Sequence, residues 1–435
     1  MEAKVETRCD QRRCSLTAPL IAKQEPPKLE VIEGNYRGRF GGGDASFFKT
    51  FFNGLNALSG VGILSIPYAL ASGGWLSLLL LLAIACSGFY ASLLIKWSMD
   101  VDPIIRTYPD IAGRAFGNIG RNVASILMYT ELYMVVTGFL ILEGDNLHNL
   151  FPYMELTIGG LTIGGRESFI MIVALVILPS VWVDSLSLLS YVSASGVLAS
   201  AIILVSIFWV GAADGIGFHH KGQLLNWSGI PTAGSLYAFC YCAHPVFPTV
   251  YTSMKKRHHF SKVLFLCFLC STICYSSMAI FGYTMFGSNV KSQITLNLPL
   301  EKLSSKIAIY TTLVNPVAKY ALMLMPVVNA TESWLPGYNK RRSVKLLIRT
   351  TLIASTVIFA LAVPFFAHLM SLVGAFLSIT ASIIVPCLCY LKISGFHRVG
   401  EVVSIVAVVL LSVLVVIFGT YTSLEQIIRD TSAGL

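Results

Sequence analysis

Three ionisable side chains stand in stretches that otherwise carry almost no charge: Glu131 in YTELYMVVTG, His244 in YCAHPVFPTV and Lys319 in NPVAKYALML. A carboxyl in hydrocarbon can carry a proton, pair with an ammonium, or stay protonated as a hydrogen-bonded link between helices. An imidazole there can titrate across the pH gradient of an acidic organelle, or hold its own helix by bonding a backbone group. A lysine supplies a fixed cation, or pairs with Glu131 or with backbone carbonyls for stability alone.

Two backbone irregularities accompany them. In FFNGLNALSGVGILSIPYALASGGW, Asn53, Asn56 and Ser59 lead into Gly60, Val61 and Gly62, with Pro67 following. Glycines one residue apart weaken a helix, and N–H groups freed at an unwound point can bind an anion such as a carboxylate. The same glycines also suit close packing between helices. In GSLYAFCYCAHPVFPTVYTSM, Pro245 and Pro248 each remove a helical hydrogen bond, so the freed carbonyls must face a cavity or other protein.

The elements that carry these groups follow from composition. Of 435 residues, 55% are hydrophobic and 12% charged, about half the usual charged share, which excludes a soluble globule. Residues 50–95 contain no charged side chain, room for two helices of roughly 20 apolar residues each. Such runs are too continuous for the alternating strands of a membrane barrel. The sequence predicts an all-α polytopic membrane protein with eleven spans near residues 47–70, 75–97, 122–144, 168–183, 186–211, 233–252, 262–286, 306–329, 345–364, 367–391 and 400–421. The fourth is short and interrupted by Pro179. Broken first and sixth spans, five apart, fit two inverted five-helix repeats, about 47–211 and 233–391, meeting at a midplane binding site. The eleventh span stands outside the repeats, within a membrane domain of residues 47–424.

Basic residues set the expected orientation. With the N-terminus in the cytoplasm, that side holds nine of them up to Lys49, four between spans two and three, four between six and seven, five between eight and nine, and two between ten and eleven. The other side holds only Arg166, Lys221, Lys291, Lys302, Lys306 and Arg429. This is the positive-inside pattern, and it places residues 425–435 outside the cytoplasm as a short tail. The net charge of +9 is thus topological, and its division among five loops argues against a nucleic-acid partner. Residues 1–46, polar and carrying Pro26, Pro27 and Gly41 to Gly43, should form a disordered cytoplasmic tail. No cleavable signal is visible; the first span should direct membrane insertion itself.

Ten cysteines point neither to disulfides nor to zinc. Cys9 and Cys14 precede the spans and the other eight lie inside them; Cys267, Cys270 and Cys274 share one apolar helix face without a nearby His or carboxylate, as packing residues would. No motif for a metal or nucleotide cofactor is present. The sequon at Asn226 falls in a non-cytoplasmic loop and is open to glycosylation, whereas the one at Asn329 falls near the cytoplasmic face.

The stretch NALSGVGILSIPYA, residues 56–69, followed by GGW, together with AHPVFPTVYTSM and NPVAKYALMLMPV, resembles the amino acid/auxin permease family, and within it the plant vacuolar amino acid transporters. The resemblance covers nearly the whole chain after about residue 46. It implies a LeuT-like fold, secondary transport of amino acids by alternating access, and coupling to protons at the vacuolar membrane, with the N-terminus cytoplasmic and the C-terminus lumenal. In that fold the eighth helix packs on the broken part of the first, a contact that forms a sodium site in sodium-driven relatives. Lys319 at that position would occupy the cation site and leave the proton as coupling ion. A zwitterionic substrate would place its carboxylate on N–H groups around Ser59, Gly60, Val61 and Gly62, beside Asn56. Its ammonium would sit on carbonyls between Cys240 and His244, with Tyr133, Tyr237, Phe239 and Tyr241 closing the pocket. The alternatives are a sodium-coupled or plasma-membrane amino acid or auxin permease and, more remotely, an intramembrane acyltransferase using His244. The latter lacks a clustered nucleophile or acid.

Overall fold

The computed structural model describes residues 43, 45–102, 104–158, 161–182, 189–333, 342–363, 365–395 and 398–433. Most of the expected N-terminal tail, with Cys9 and Cys14, lies outside the described residues. In chain order the helices are α1 (Phe47–Leu58), α2 (Ile66–Gly73), α3 (Ser77–Val101), α4 (Tyr108–Leu150), α5 (Gly165–Trp182), α6 (Leu189–Ala212), α7 (Ile230–Cys240), α8 (Phe247–Ser253), α9 (Phe260–Phe286) and α10 (Leu303–Ser333). α11 (Arg342–Ala362), α12 (Phe366–Ser394) and α13 (Val399–Ala433) complete the bundle. A two-stranded antiparallel hairpin, β1 (Leu156–Ile158) and β2 (Leu161–Ile163), pairs Thr157 with Thr162 between α4 and α5.

Among the described residues, nine helices are long and apolar enough to cross a membrane. The segments expected to be interrupted are not among them, because each is split: α1 and α2 by a 3-10 turn at Val61–Leu64, α7 and α8 by one at His244–Val246. A count of eleven requires both broken segments to cross as well. Pro179 is accommodated inside α5. At the far end α13 runs to Ala433, so the stretch expected as a tail after residue 424 is helix. Glu425 and Arg429, four residues apart and bonded at 2.5 Å, favour its continuation.

Burial is arranged as hydrocarbon demands. Large apolar side chains such as Leu79, Leu175, Leu410 and Phe418 face outward, while Glu131, His244, Lys319 and Gln293 are buried. α10 packs on α4 and α6, and α9 packs on both halves of the first broken segment. α2 lies against α7, bringing the two breaks side by side. At the end where the chain enters α1, Ala45 forms a parallel bridge to Met254, with Ala45 N–H donating to Ser253 O at 3.0 Å and Lys255 N–H to Ala45 O at 3.0 Å. The entry to the first broken segment is thereby tied to the exit of the second. The Cys267 thiol, buried on α9, donates to Phe51 O at 3.4 Å, a packing contact.

Candidate functional site

The first break begins at Ser59 and Gly60. Gly60 is extended (φ −93°, ψ −176°), and its N–H folds back onto Leu58 O at 2.8 Å. That turn consumes the helix end, and the N–H groups of Val61 and Gly62 are left without a hydrogen-bond partner among the described residues. Two such donors side by side suit an anionic group. The carbonyls here are held by side chains instead. Lys319 Nζ on α10 donates to Ser59 O at 3.1 Å, and the Tyr275 hydroxyl on α9 donates to Leu58 O. Lys319 is 3% exposed and has no carboxylate within ion-pair distance among the described residues, so the expected alternative pairing with Glu131 is not formed. A Cβ added at Gly196 on α6 would run into both Asn56 Oδ1 and Lys319 Nζ. Asn56, Ser59 and Lys319 therefore form one cluster at the break.

The second break spans Tyr241 to Ala243. Cys240 O, which in a continuous helix would accept from residue 244, accepts among the described residues only the Tyr275 hydroxyl, at 3.1 Å. His244 is fully buried, and its Nε2 donates to Gly88 O on α3 at 2.8 Å. Its ring packs edge-on against Phe247 and Phe268. The bond ties the second break to α3. The breaks meet at Gly62, where an added Cβ would lie 2.7 Å from Cys240 Sγ and 3.2 Å from Phe239 Cδ1. Beside Gly60 the space is open: a Cβ there would meet only Gly62 N, at 4.0 Å.

Glu131, 4% exposed on α4, accepts the Ser378 hydroxyl at 2.6 Å and lies beside the Cys242 thiol. It thus touches the second break through Cys242. Ser378 ends the first of two π-helical stretches in α12, Val373–Ser378 and Thr380–Ile384, and such stretches are common at functional sites.

Of the aromatic candidates, only Phe239 stands at the meeting point of the breaks. Tyr237 bonds Ser77 at 3.0 Å, and Tyr241 bonds Thr272 at 2.8 Å while stacking on Phe268. Tyr133 bonds Ser355 on α11 at 2.9 Å. Tyr275 is not conspicuous in the sequence, although its hydroxyl touches both breaks; nothing distinguishes it there from the other tyrosines of the apolar helices. Further along, a cavity of about 460 Å³ opens between Tyr68 on α2, Asp145 and His148 on α4, Arg166, Lys291 and His368. An ion pair of Arg166 with Asp145 at 2.5 Å makes its wall polar. At Asn226 the amide nitrogen a glycan would take donates to Ser72 O at 2.9 Å.

The fold and sequence both have counterparts. The crystal structure of MhsT in complex with L-phenylalanine superposes with a TM-score of 0.56 at 10% identity, covering 86% of this chain and 98% of that one. The two share a LeuT-like fold. Amino acid transporter AVT1I of Arabidopsis thaliana is 60% identical over 389 residues, covering 89% of this chain and 96% of that protein. Amino acid transporter AVT1J of the same plant is 57% identical over 417 residues, covering 95% and 97%. Residues 43–425 match the family described as transmembrane amino acid transporter protein. This sets aside the acyltransferase reading of His244: the chain is a transporter and not an enzyme, and it belongs to the transmembrane amino acid transporter family.

Proposed function

We propose that the protein carries amino acids by proton-coupled alternating access across the vacuolar membrane, with its N-terminus in the cytoplasm. The substrate binds between the breaks. Its carboxylate takes the open N–H groups of Val61 and Gly62, its ammonium takes Cys240 O, and its side chain fills the space beside Gly60, bounded by Phe239. The orientation is supported by the basic loops, and the vacuolar setting by the resemblance to plant vacuolar transporters.

One observation carries the coupling reading: Lys319 Nζ sits on Ser59 O where α10 meets the first break. A fixed ammonium there supplies by covalent means the positive charge that a sodium ion would bring, and it repels a second cation. The mobile charge is then the proton, carried by Glu131, whose contacts through Ser378 and Cys242 reach α12 and the second break. Proton arrival at the carboxyl alters its bond to Ser378 and the charge beside Cys242, in the very segment that binds the ammonium.

The test is radiolabelled amino acid uptake into proteoliposomes under an imposed pH gradient of either sign, with and without sodium. Uptake that follows the proton gradient and ignores sodium is expected. In Lys319→Ala the response to the gradient should fall at least tenfold, because Ser59 O loses its donor and the site its charge. A sodium requirement in the unaltered protein would instead establish the sodium-coupled alternative.

A further inference from the structure

Among the described buried tyrosines, Tyr275 differs in that its hydroxyl faces two backbone carbonyls. The oxygen lies within hydrogen-bond distance of two backbone carbonyls, Leu58 O and Cys240 O, and these are the carbonyls at the two breaks. A phenol has one proton to donate, so it serves one acceptor at a time. The acceptors are not equivalent. Leu58 O also receives the Gly60 N–H, at 2.8 Å, whereas Cys240 O has no other donor among the described residues. When the phenol bonds Leu58, Cys240 O is left unpaired in a buried site, a costly state unless another donor arrives.

We propose that Tyr275 is a positioning residue of transport: its single proton passes between Cys240 O in the empty site and Leu58 O in the occupied one, so that the substrate's ammonium, on taking Cys240 O, fixes the relation of the two breaks. This rests on the reading that the ammonium binds at Cys240. No bond is made or broken beyond the exchange of hydrogen-bond partners. The surrounding helices fix the ring in place, since it is 1% exposed and meets Tyr241 edge-on at 5.3 Å. It stands on α9, which packs against both α1 and α2, so that a hydrogen bond exchanged at its tip is felt where the first segment unwinds.

The experiment measures binding and transport separately in Tyr275→Phe, with Tyr320→Phe as control. Tyr320 is an equally buried phenol whose hydroxyl bonds Thr356 at 2.7 Å, between α10 and α11 and touching neither break. Binding is read by titration of purified protein with an amino acid and with the corresponding carboxylate lacking the amine; transport is read as initial uptake in proteoliposomes. Tyr275→Phe should bind the amino acid within threefold of the unaltered protein, because the ammonium no longer competes with the phenol for Cys240 O. Its uptake should fall at least tenfold, while Tyr320→Phe keeps both. Loss of binding and uptake in parallel, uptake close to normal, or equal effects in both variants would overturn the proposal. If the unaltered protein binds the amine-free carboxylate as tightly as the amino acid, the placement of the ammonium fails instead. Should Tyr275→Phe not yield monodisperse protein, Tyr275→Met, which likewise has no donor to offer either carbonyl, gives the reading. Binding kept with uptake reduced supports the proposal, and both kept or both lost overturns it.

Discussion

The two breaks are built by different chemistry and leave opposite groups open. The first is made by Gly60 and Gly62 without a proline at the break itself; its Ser59 carbonyl is held by Lys319, and its Leu58 carbonyl receives the Gly60 N–H and shares the Tyr275 hydroxyl with Cys240 O, leaving the Val61 and Gly62 N–H groups open. The second is made around Pro245, is anchored to α3 by His244, and leaves Cys240 O with one shared donor. A glycine keeps its N–H while relaxing the helix, so its break can present donors; Pro245 has no N–H to return to Tyr241 O, and the turn formed there also leaves Cys240 O without the His244 N–H it would receive in a continuous helix. Set face to face, the pair offers open donors on one side and an under-used acceptor on the other, the complement of the zwitterion proposed above. Position in the fold alone would not yield this asymmetry, since both segments occupy equivalent places in the two repeats.

The sharpest way to break the comparison is at its narrowest point. An alanine at Gly62 puts a methyl 2.7 Å from Cys240 Sγ, on the residue whose carbonyl is proposed above to receive the ammonium. Relieving that overlap must displace the Cys240 thiol and the Phe239 ring or the breaks themselves, at about 1–3 kcal/mol for an overpacked interior. Uptake by Gly62→Ala is expected to fall at least a hundredfold, measured against surface-matched protein amounts. Gly60→Ala is the contrast. Its φ of −93° suits any residue and its Cβ meets open space, so this variant should fold normally and raise KM most for bulky amino acids. Equal loss in the two variants would show that the glycines matter only for helix flexibility.

His244 tests the other side of the comparison, with a smaller effect on transport and a larger one on stability. His244→Ala leaves Gly88 O without its donor and removes a ring packed on Phe247 and Phe268, together about 3 kcal/mol of destabilisation. It should appear as a lower unfolding temperature in detergent. His244→Gln retains a donor and should recover part of that loss, with uptake still driven by the pH gradient. If His244→Gln is stable and no longer responds to pH, the histidine is a titrating member of the coupling machinery and the second break is more than a braced acceptor site.

What the sequence discloses, and what it withholds, divides along physical lines. Apolar runs long enough for a bilayer mark the helices directly, and the glycine and proline clusters mark both breaks, because these residues act on their own backbone. Lys319 and Glu131 are conspicuous as charges in hydrocarbon. Contacts made across the bundle are not legible. A tyrosine in a span announces a hydrogen bond without naming its partner, so Tyr237 and Tyr241 are expected in the pocket, yet they bond Ser77 and Thr272, and Tyr275 carries no mark of its double contact. The π-helical stretches beside Ser378 are equally hidden, since nothing in VGAFLSITASII breaks an α-helix locally.

The smallest expected effect concerns Tyr133, which marks how far the binding region extends along α4. Its neighbour Glu131, two residues away, turns to Ser378 and the second break, whereas the Tyr133 hydroxyl turns to Ser355 on α11. α11 packs chiefly on α4, α5 and α10, apart from either broken segment. Losing one half-buried hydroxyl bond there costs about 1 kcal/mol at most and should leave substrate affinity unchanged, with uptake by Tyr133→Phe within twofold of the unaltered protein. A change in KM of tenfold or more would mean that α4 rotates during transport to bring Tyr133 into the pocket. The face-to-face breaks would then be only one state of a site whose aromatic wall is exchanged as the protein opens to each side.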